Sequence, residues 1–219
     1  MQRERMRRDW DARARKNARY YVATGKDDWT DEEFFASGEM AVAQDILTDM
    51  GNICQGKDPK SMRVLEIGCG AGRITRALAG LFGEVHAVDV SGEMIARARA
   101  ALADRPNAHV YQNNGCDLKV IPPGEFDFAY SMIVFQHIPS RDIIENYVSE
   151  VHRLLRPGAL FKFQVHGFPE AEGGAFNTWE GATFSMEQAQ QMAARTGFEF
   201  RYNVGAGEQY FWLWYFKKP

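Results

Sequence analysis

The chain has 219 residues, a length typical of one large domain or of one domain with a modest appendage. Hydrophobic residues make up 45% and charged residues 25%, an ordinary balance for a globular protein. The formal net charge of −3 predicts no general attraction to nucleic acid. The longest apolar run, residues 210–216, is far shorter than the roughly 20 residues of a membrane-spanning helix. No secretory signal opens the chain, so we expect a cytoplasmic protein without a membrane partner.

The cysteines indicate neither disulfides nor a metal centre. Cys54, Cys69 and Cys116 stand far apart, without a Cys-x-x-Cys pair and without histidine at ligand spacing. We therefore interpret them as reduced packing residues and predict no metal site.

The first 61 residues contain no strong strand pattern. Met6, Trp10, Ala14, Asn17 and Tyr21 fall at helical spacing, and residues 32–53 form a second helical stretch. We interpret residues 1–61 as a helical cap that packs on the core, and residues 62–219 as the main domain. The arginines of the first helix alternate with acids and are typical of a solvated helix face. Contact with phosphate or RNA is the alternative.

From residue 62 onward, short apolar runs alternate with amphipathic stretches, which is typical of a parallel α/β sheet. A helix is predicted over residues 73–81, Ser91 can cap the next helix, and Ser140 opens another that ends at Pro157-Gly158. The five predicted strands are residues 62–67, 84–90, a third strand including 110–112, 126–134 and 159–165.

Two further strands are predicted at the end of the chain, at residues 198–204 and 209–216. Ser185 and Gln188 have the spacing of a capping box for the helix before them. The connection 205–208 is too short for a parallel crossover, so the last strand should be antiparallel. Its aromatic run lacks alternation and predicts burial on both faces. The fold class is therefore α/β, with a seven-stranded, mostly parallel sheet and amino-terminal helices.

A glycine loop follows the first predicted strand in the segment VLEIGCGAGRIT, residues 64–75. Glycines permit a tight turn and let a ligand approach the backbone, with amides at the helix start facing it. Asp89 ends the second strand, where a carboxylate can accept hydrogen bonds from both ribose hydroxyls of an adenosine. A nicotinamide or flavin site is the alternative, but Arg73 stands where the third glycine of that fingerprint belongs.

Four later segments follow this loop in a familiar order: VHAVDVS (85–91), QNNGCDL (112–118), FDFAYSMIVFQHI (126–138) and LLRPGALFKF (154–163). With the glycine loop, they resemble the motifs of the class I methyltransferases that use S-adenosylmethionine (SAM), in particular the type 11 group. The resemblance implies a Rossmann-like doubly wound sheet with SAM as cofactor.

The resemblance also assigns residues to parts of the cofactor. Gly68, Cys69 and Gly70 form the loop against the methionine part, which Glu66 helps to position. Asp89 takes the ribose. The adenine and sulfonium contacts are assigned to Val90 and Met94 (adenine face), Asn114 and Gly115 (adenine edge), and Ser131 and Met132 (sulfonium end). Asn114 stands where the family usually has an aspartate, and a register shift would place Asp117 there instead.

The acceptor site is predicted from fewer residues. His166 follows the fifth strand at the carboxyl edge of the sheet and is the candidate general base. His137 is expected to orient a loop. Residues 168–184, which include Gly173, Gly174, Phe176 and Trp179, are interpreted as a substrate lid. The amino-terminal helix, with Trp10, Tyr20 and Tyr21, is expected to cover the SAM site from the other side.

We therefore expect in-line transfer of a methyl group to an O, N or C atom of a small-molecule acceptor. An NAD(P)-binding oxidoreductase, an RNA methyltransferase and a non-catalytic SAM-binding protein are the alternatives. The sequence does not predict an oligomeric state.

Overall fold

The computed structural model describes residues 2–169 and 177–219, and its seven strands form a sheet in the order β3-β2-β1-β4-β5-β7-β6. The predicted sheet is confirmed, because β7 is antiparallel to both of its neighbours while the pairs β1–β2, β2–β3 and β4–β5 are parallel. The strands are β1 (Arg63–Ile67), β2 (Glu84–Asp89), β3 (Ala108–Gln112), β4 (Phe126–Ser131), β5 (Leu155–Val165), β6 (Phe198–Val204) and β7 (Phe211–Lys217).

From residue 73 onward, the α-helices begin close to the predicted positions. The predicted helical stretch 32–53 is instead divided into a helix Asp31–Asp45, a 3-10 helix Leu47–Asp49 and a short helix Met50–Cys54. Ser91, Ser140 and Ser185 each accept a hydrogen bond at the start of a helix, and Ser185 forms a full capping box with Gln188. Asn17 has non-helical backbone angles inside α1. The helices are α1 (Gln2–Val22), α2 (Asp31–Asp45), α3 (Met50–Cys54), α4 (Arg73–Leu81), α5 (Gly92–Ala101), α6 (Arg141–Leu154) and α7 (Met186–Arg195). None of the helices in the described ranges is long and apolar enough to cross a bilayer.

Residues 3–115 form one compact unit. Its strands β1 and β2 are buried along most of their length, as their apolar sequences predict. Residues 1–61 contribute helices to this unit. Ala14 and Ala18 of α1 pack in a buried cluster with Ala71 and Met94. The boundary after residue 61 stays a prediction.

Residues 116–219 form the second unit, in which β7 lies between β5 and β6. Phe211, Leu213 and Tyr215 on β7 are buried, whereas Trp212 and Trp214 are half-exposed. The prediction that both faces of this strand are buried is therefore wrong for the tryptophan face. Its tryptophans cover the buried Lys162, whose Nζ lies 4.5 Å from the Trp214 ring centroid, so aromatic rings occur on both faces.

Two predicted boundaries are also wrong. Strand β4 ends at Ser131, and a short 3-10 helix, Phe135–His137, follows it. Strand β5 begins at Leu155 instead of residue 159, because Leu155 already pairs with Phe126. The Pro157-Gly158 pair lies inside the strand, where the pairing with β4 shifts register and Gly158 has a φ of 77°.

Candidate cofactor and acceptor residues

The glycine loop after β1 is fixed by the end of β2. The amides of Gly68 and Cys69 both donate to the carbonyl oxygen of Val88, at 2.7 and 3.0 Å. Gly70 has a φ of 53°, and a Cβ added to it would lie 2.6 Å from Cγ2 of Val22. Both backbone conformation and space therefore require glycine at position 70.

Three amides of this loop form hydrogen bonds inside the protein. Besides the two bound to Val88, the amide of Gly70 donates to Oδ2 of Asp89 at 2.9 Å. Val22, at the end of α1, lies over Gly70. The loop therefore satisfies these three amides internally, and Gly70 is buried beneath Val22.

Asp89 is held by the backbone at the carboxyl end of β2. Its Oδ2 accepts from the Gly70 amide, and its Oδ1 accepts from the Ser91 amide at 2.8 Å. Each carboxylate oxygen can accept a second hydrogen bond. The half-buried group can thus accept two adjacent hydroxyls in a fixed orientation. Desolvation, only partly offset by these amides, raises the pKa of Asp89 to about 6.

Glu66 lies in the core behind the loop. It is only 4% exposed, and its Oε2 accepts a hydrogen bond of 2.6 Å from the hydroxyl of Thr75 in α4. Burial raises the pKa of Glu66 to about 7. The Glu66–Thr75 bond joins β1 to the first turn of α4, on either side of the glycine loop. Thr75 is a residue that the sequence analysis missed.

Helix α1 packs against the start of α5 and against the turn at Gly115. Asp11 accepts hydrogen bonds from the Ser91 hydroxyl at 2.6 Å and from the Glu93 amide at 3.2 Å. Met6 lies 3.1 Å from the position of a Cβ added to Gly115. Asp11 therefore ties α1 to the start of α5, a contact that no motif in the sequence indicates.

The predicted adenine-binding segment follows β3. Val90 is half-buried, with its Cγ2 3.0 Å from a Cβ added to Gly115. Asn114 is exposed, whereas Asn113 is buried and accepts the Gly115 amide at 3.2 Å. Asn113 thus shapes the turn from inside and leaves Asn114 at the surface. Met94, the other adenine-face candidate, is 1% exposed in the cluster beneath α1.

In the second unit, Ser131 is fully buried at the end of β4, and Met132 is half-buried after it. The next residue, Ile133, has a φ of 55°, and its amide donates to Oε1 of Gln164 at 2.9 Å. Gln164 in turn donates to Oε1 of Gln136. A buried glutamine of β5 therefore fixes the backbone turn that carries Ser131 and Met132.

His166 directly follows β5 and forms a parallel bridge with Thr183. Its Nδ1 is buried and has no hydrogen-bond partner among the residues that the structure describes. Desolvation lowers the pKa of His166, so the ring is neutral near pH 7. A buried, unsatisfied imidazole nitrogen costs free energy and is suited to a polar group of a ligand.

Both ring nitrogens of His137 are engaged. Nδ1 lies 2.6 Å from the carbonyl oxygen of Trp179, to which it must donate, and Nε2 lies 3.3 Å from Nε2 of Gln136. Gly181 and Ala182 also donate to carbonyls of the 136–138 turn, at 2.8 and 2.9 Å. His137 therefore holds the second half of the predicted lid. Gly173, Gly174 and Phe176 lie outside the described residues.

Residues 64–158 match a family model described as a methyltransferase domain. Over 103 residues the chain is 36% identical to the malonyl-[acyl-carrier protein] O-methyltransferase of Enterobacter lignolyticus, which covers 46% of this chain and 38% of that protein. Over 104 residues it is 31% identical to the ubiquinone biosynthesis O-methyltransferase of Thiobacillus denitrificans, covering 47% and 44%. The chain thus spans less than half the length of these curated relatives.

Solved structures match over nearly the whole chain. The magnesium protoporphyrin IX methyltransferase of Synechocystis PCC 6803, with bound S-adenosylhomocysteine (SAH), is 16% identical, with 97% of this chain and 98% of that chain covered and a TM-score of 0.67. The CcbJ methyltransferase of Streptomyces caelestis is 19% identical, with 90% and 96% covered and a TM-score of 0.64. Residues 64–158 thus resemble a methyltransferase domain, and the chain has the fold of these methyltransferase structures, so the predicted resemblance is confirmed.

Proposed function

We propose that this chain is a SAM-dependent methyltransferase that methylates an O, N or C atom of a small molecule. The observation that carries the proposal is the glycine loop bound to Asp89, within the segment that matches the methyltransferase domain. When bound, SAM supplies a methyl group on a sulfonium, already activated for in-line displacement. The protein has to align the acceptor and exclude water.

At the adenosine end, Asp89 accepts the two ribose hydroxyls through the oxygen lone pairs that its backbone contacts leave available. The side-chain oxygen of Asn114, beside Gly115, accepts a hydrogen bond from the adenine amino group. Because Met94 is buried beneath α1, we expect Val90 to make the larger share of the contact with the adenine face.

At the methionine end, Gly68, Cys69 and Gly70 form the floor, and Glu66 holds that floor through Thr75. Val22 lies over Gly70, so the end of α1 must shift to admit the methionine part. Helix α1 then closes over the bound donor. Ser131 and Met132 are placed at the sulfonium end on the family resemblance.

In the second unit, we assign the general base to His166. A neutral ring whose Nδ1 has no hydrogen-bond partner among residues 2–169 and 177–219 can take the proton of an attacking hydroxyl or amine. The ring of Phe168 lies edge-on to the His166 ring, with 5.3 Å between the two ring centroids. The side chains of Phe168 and Trp179 are both half-exposed. These aromatic side chains favour an apolar acceptor, over which residues 168–184 serve as the lid.

Thermal unfolding with adenosyl ligands tests the cofactor assignment. SAH at one hundred times its dissociation constant should stabilise the fold by about 2.7 kcal/mol, whereas NAD should not. Asp89→Ala should abolish the shift with SAH. The matched control Asp104→Ala, which removes an exposed carboxylate paired with Arg76, should retain it. A shift with NAD and none with SAH would support the oxidoreductase alternative instead.

Methyl transfer itself is tested by screening small acceptors. Hydroxyl compounds come first, because the curated relatives are named O-methyltransferases. With the best acceptor, His166→Ala should lower kcat by about 10²–10⁴-fold without changing SAH affinity. His152→Gln is the control. An unchanged kcat in His166→Ala would remove the base assignment, and transfer to RNA alone would identify a nucleic-acid substrate.

A further inference from the structure

Two histidines and a glutamate meet at the amino-terminal ends of β2 and β3. Glu84 and His86 are two residues apart on β2, so their side chains share one face of the sheet. The parallel register places His109 of β3 beside His86. None of these residues belongs to the glycine loop or to the proposed acceptor site.

The three side chains converge on a small volume. Oε1 of Glu84 lies 2.8 Å from Nε2 of His86 and 3.4 Å from Nε2 of His109. The candidate ligand atoms all lie within 4.8 Å of one another. Zinc binds imidazole nitrogen and carboxylate oxygen at about 2.0–2.1 Å, so tetrahedral ligand atoms stand about 3.3 Å apart. The observed separations bracket that value.

We propose that Glu84, His86 and His109 form a binding site for a divalent transition-metal ion, with zinc the best fit. Two imidazoles and one carboxylate are a ligand set that suits zinc and leaves a fourth position for water. The site is separate from the methyl-transfer residues, and its proposal does not rest on the proposed function.

The surroundings of His86 are those of a metal ligand. The Tyr111 hydroxyl lies 3.0 Å from Nδ1 of His86, and the two rings stack in nearly parallel planes. With an ion bound, Nδ1 donates its proton to this hydroxyl, and the lone pair of Nε2, which lies at hydrogen-bond distance from Glu84 in the metal-free protein, coordinates the ion.

Arg63 competes with a cation for the same atoms. Its Nε lies 3.2 Å from Nε2 of His86 and 3.1 Å from Oε2 of Glu84. Metal binding replaces the contact with His86, while the contact with Oε2 can persist as an outer-shell bond. We therefore expect Arg63 to weaken binding, and its removal to strengthen it.

The site is open to solvent on one side. The side chains of His109 and Glu84 are 41% and 40% exposed. His109 and Tyr111 also line a cleft of about 290 Å³ together with Arg99 and Leu102. An ion and a water ligand can therefore reach Nε2 of His109 without unfolding of the strands.

Calorimetric titration of the chelator-treated full chain with zinc chloride tests this site. We expect one saturable ion per chain, and weakening in His109→Ala and Glu84→Gln beyond the roughly 10–100-fold typical of an outer-shell loss. Arg63→Gln should bind more tightly than the unmodified chain. Cobalt titration should produce visible absorption bands that disappear in the same two ligand variants.

Two control variants separate this site from adventitious binding. Cys116→Ser removes the most accessible thiol, and His152→Gln removes a histidine of α6; both should bind zinc like the unmodified chain. Circular dichroism and thermal unfolding without ligand establish that each variant is folded. Absence of saturable zinc binding, full affinity in His109→Ala, or loss of binding in Cys116→Ser would each overturn the proposal.

Discussion

In the proposed function, Asp89 is the residue on which cofactor binding depends most directly. Its folded pKa of about 6 lies above the ordinary value of 3.8, because desolvation outweighs the two amide hydrogen bonds. A raised carboxyl pKa favours the folded state fully below pH 3.8, and that contribution is lost as the pH rises through 6. Cofactor binding has the opposite dependence, because the ionised carboxylate is the better acceptor of ribose hydroxyls.

We therefore expect SAH affinity to fall by about tenfold between pH 7 and pH 5, following the ionised fraction of Asp89. Calorimetry across this range measures the effect. Glu66 titrates nearby, with a pKa of about 7, so Glu66→Gln is the background in which to repeat the series. Asp89→Asn should bind weakly and without this pH dependence. An equally steep profile in Asp89→Asn would contradict the assignment.

The bond between Glu66 and Thr75 has its own consequence for stability. Thr75→Val leaves a buried carboxyl group without its donor, which should lower the free energy of unfolding by about 1–3 kcal/mol. Urea denaturation measures this. Thr48→Val is the matched control, since the Thr48 hydroxyl donates to the Gln44 carbonyl at the surface. Equal losses in the two variants would show that burial of Glu66 contributes nothing special.

For single residues, the sequence predicted where the site residues lie along the strands and turns better than it predicted which residues they contact. Asp89 could be placed because a strand end is set by its apolar run. The burial of Asn113 and the exposure of Asn114 could not be predicted, because adjacent asparagines have the same chemistry and only the turn at Gly115 decides which is buried. Asp11 is a long-range partner of Ser91, and no local pattern encodes such a contact.

Among the elements, the glycine loop and the end of α1 form one packed unit. Gly70→Ala should abolish SAH binding and destabilise the fold by more than about 1 kcal/mol, because the new Cβ meets Val22 and the φ is positive. Gly80→Ala is the matched control: nothing lies within 4 Å of its added Cβ inside α4, and it should stabilise the fold by about 0.4–1 kcal/mol. Thermal unfolding and SAH titration measure both.

A double variant separates the two causes of this loss. Val22→Ala should relieve the steric contact in Gly70→Ala but not the backbone strain, so it should restore stability only in part. Full restoration would assign the whole effect to packing against α1. If stability is not restored at all, the Val22 side chain does not clash with the new Cβ at position 70, contrary to its position over Gly70.

The elements themselves were predictable where local signals agreed with burial. The serine caps of α5, α6 and α7 are local hydrogen bonds and were found from sequence. The start of β5 was not, because pairing of Leu155 with β4 outweighs the Pro157-Gly158 turn signal. The tryptophan face of β7 was misread, since aromatic rings that cover Lys162 look like core residues in a sequence.

For the whole molecule, chain order and connection length were enough to predict the sheet. The short connection before β7 requires an antiparallel strand, and the apolar runs of β1, β2 and β4 require burial. The Glu84–His86–His109 cluster was missed because two of its members lie on one strand and the third on the next. The register between β2 and β3, which cannot be read from the sequence, brings them together.

A crystal structure of the full chain grown with SAH tests the central claim most directly. We predict that both ribose hydroxyls lie within hydrogen-bond distance of the Asp89 carboxylate, that the homocysteine part rests on Gly68 and Gly70, and that Val22 has moved away from the loop. An adenosine bound elsewhere, or a loop still covered by Val22 at saturating SAH, would contradict the account.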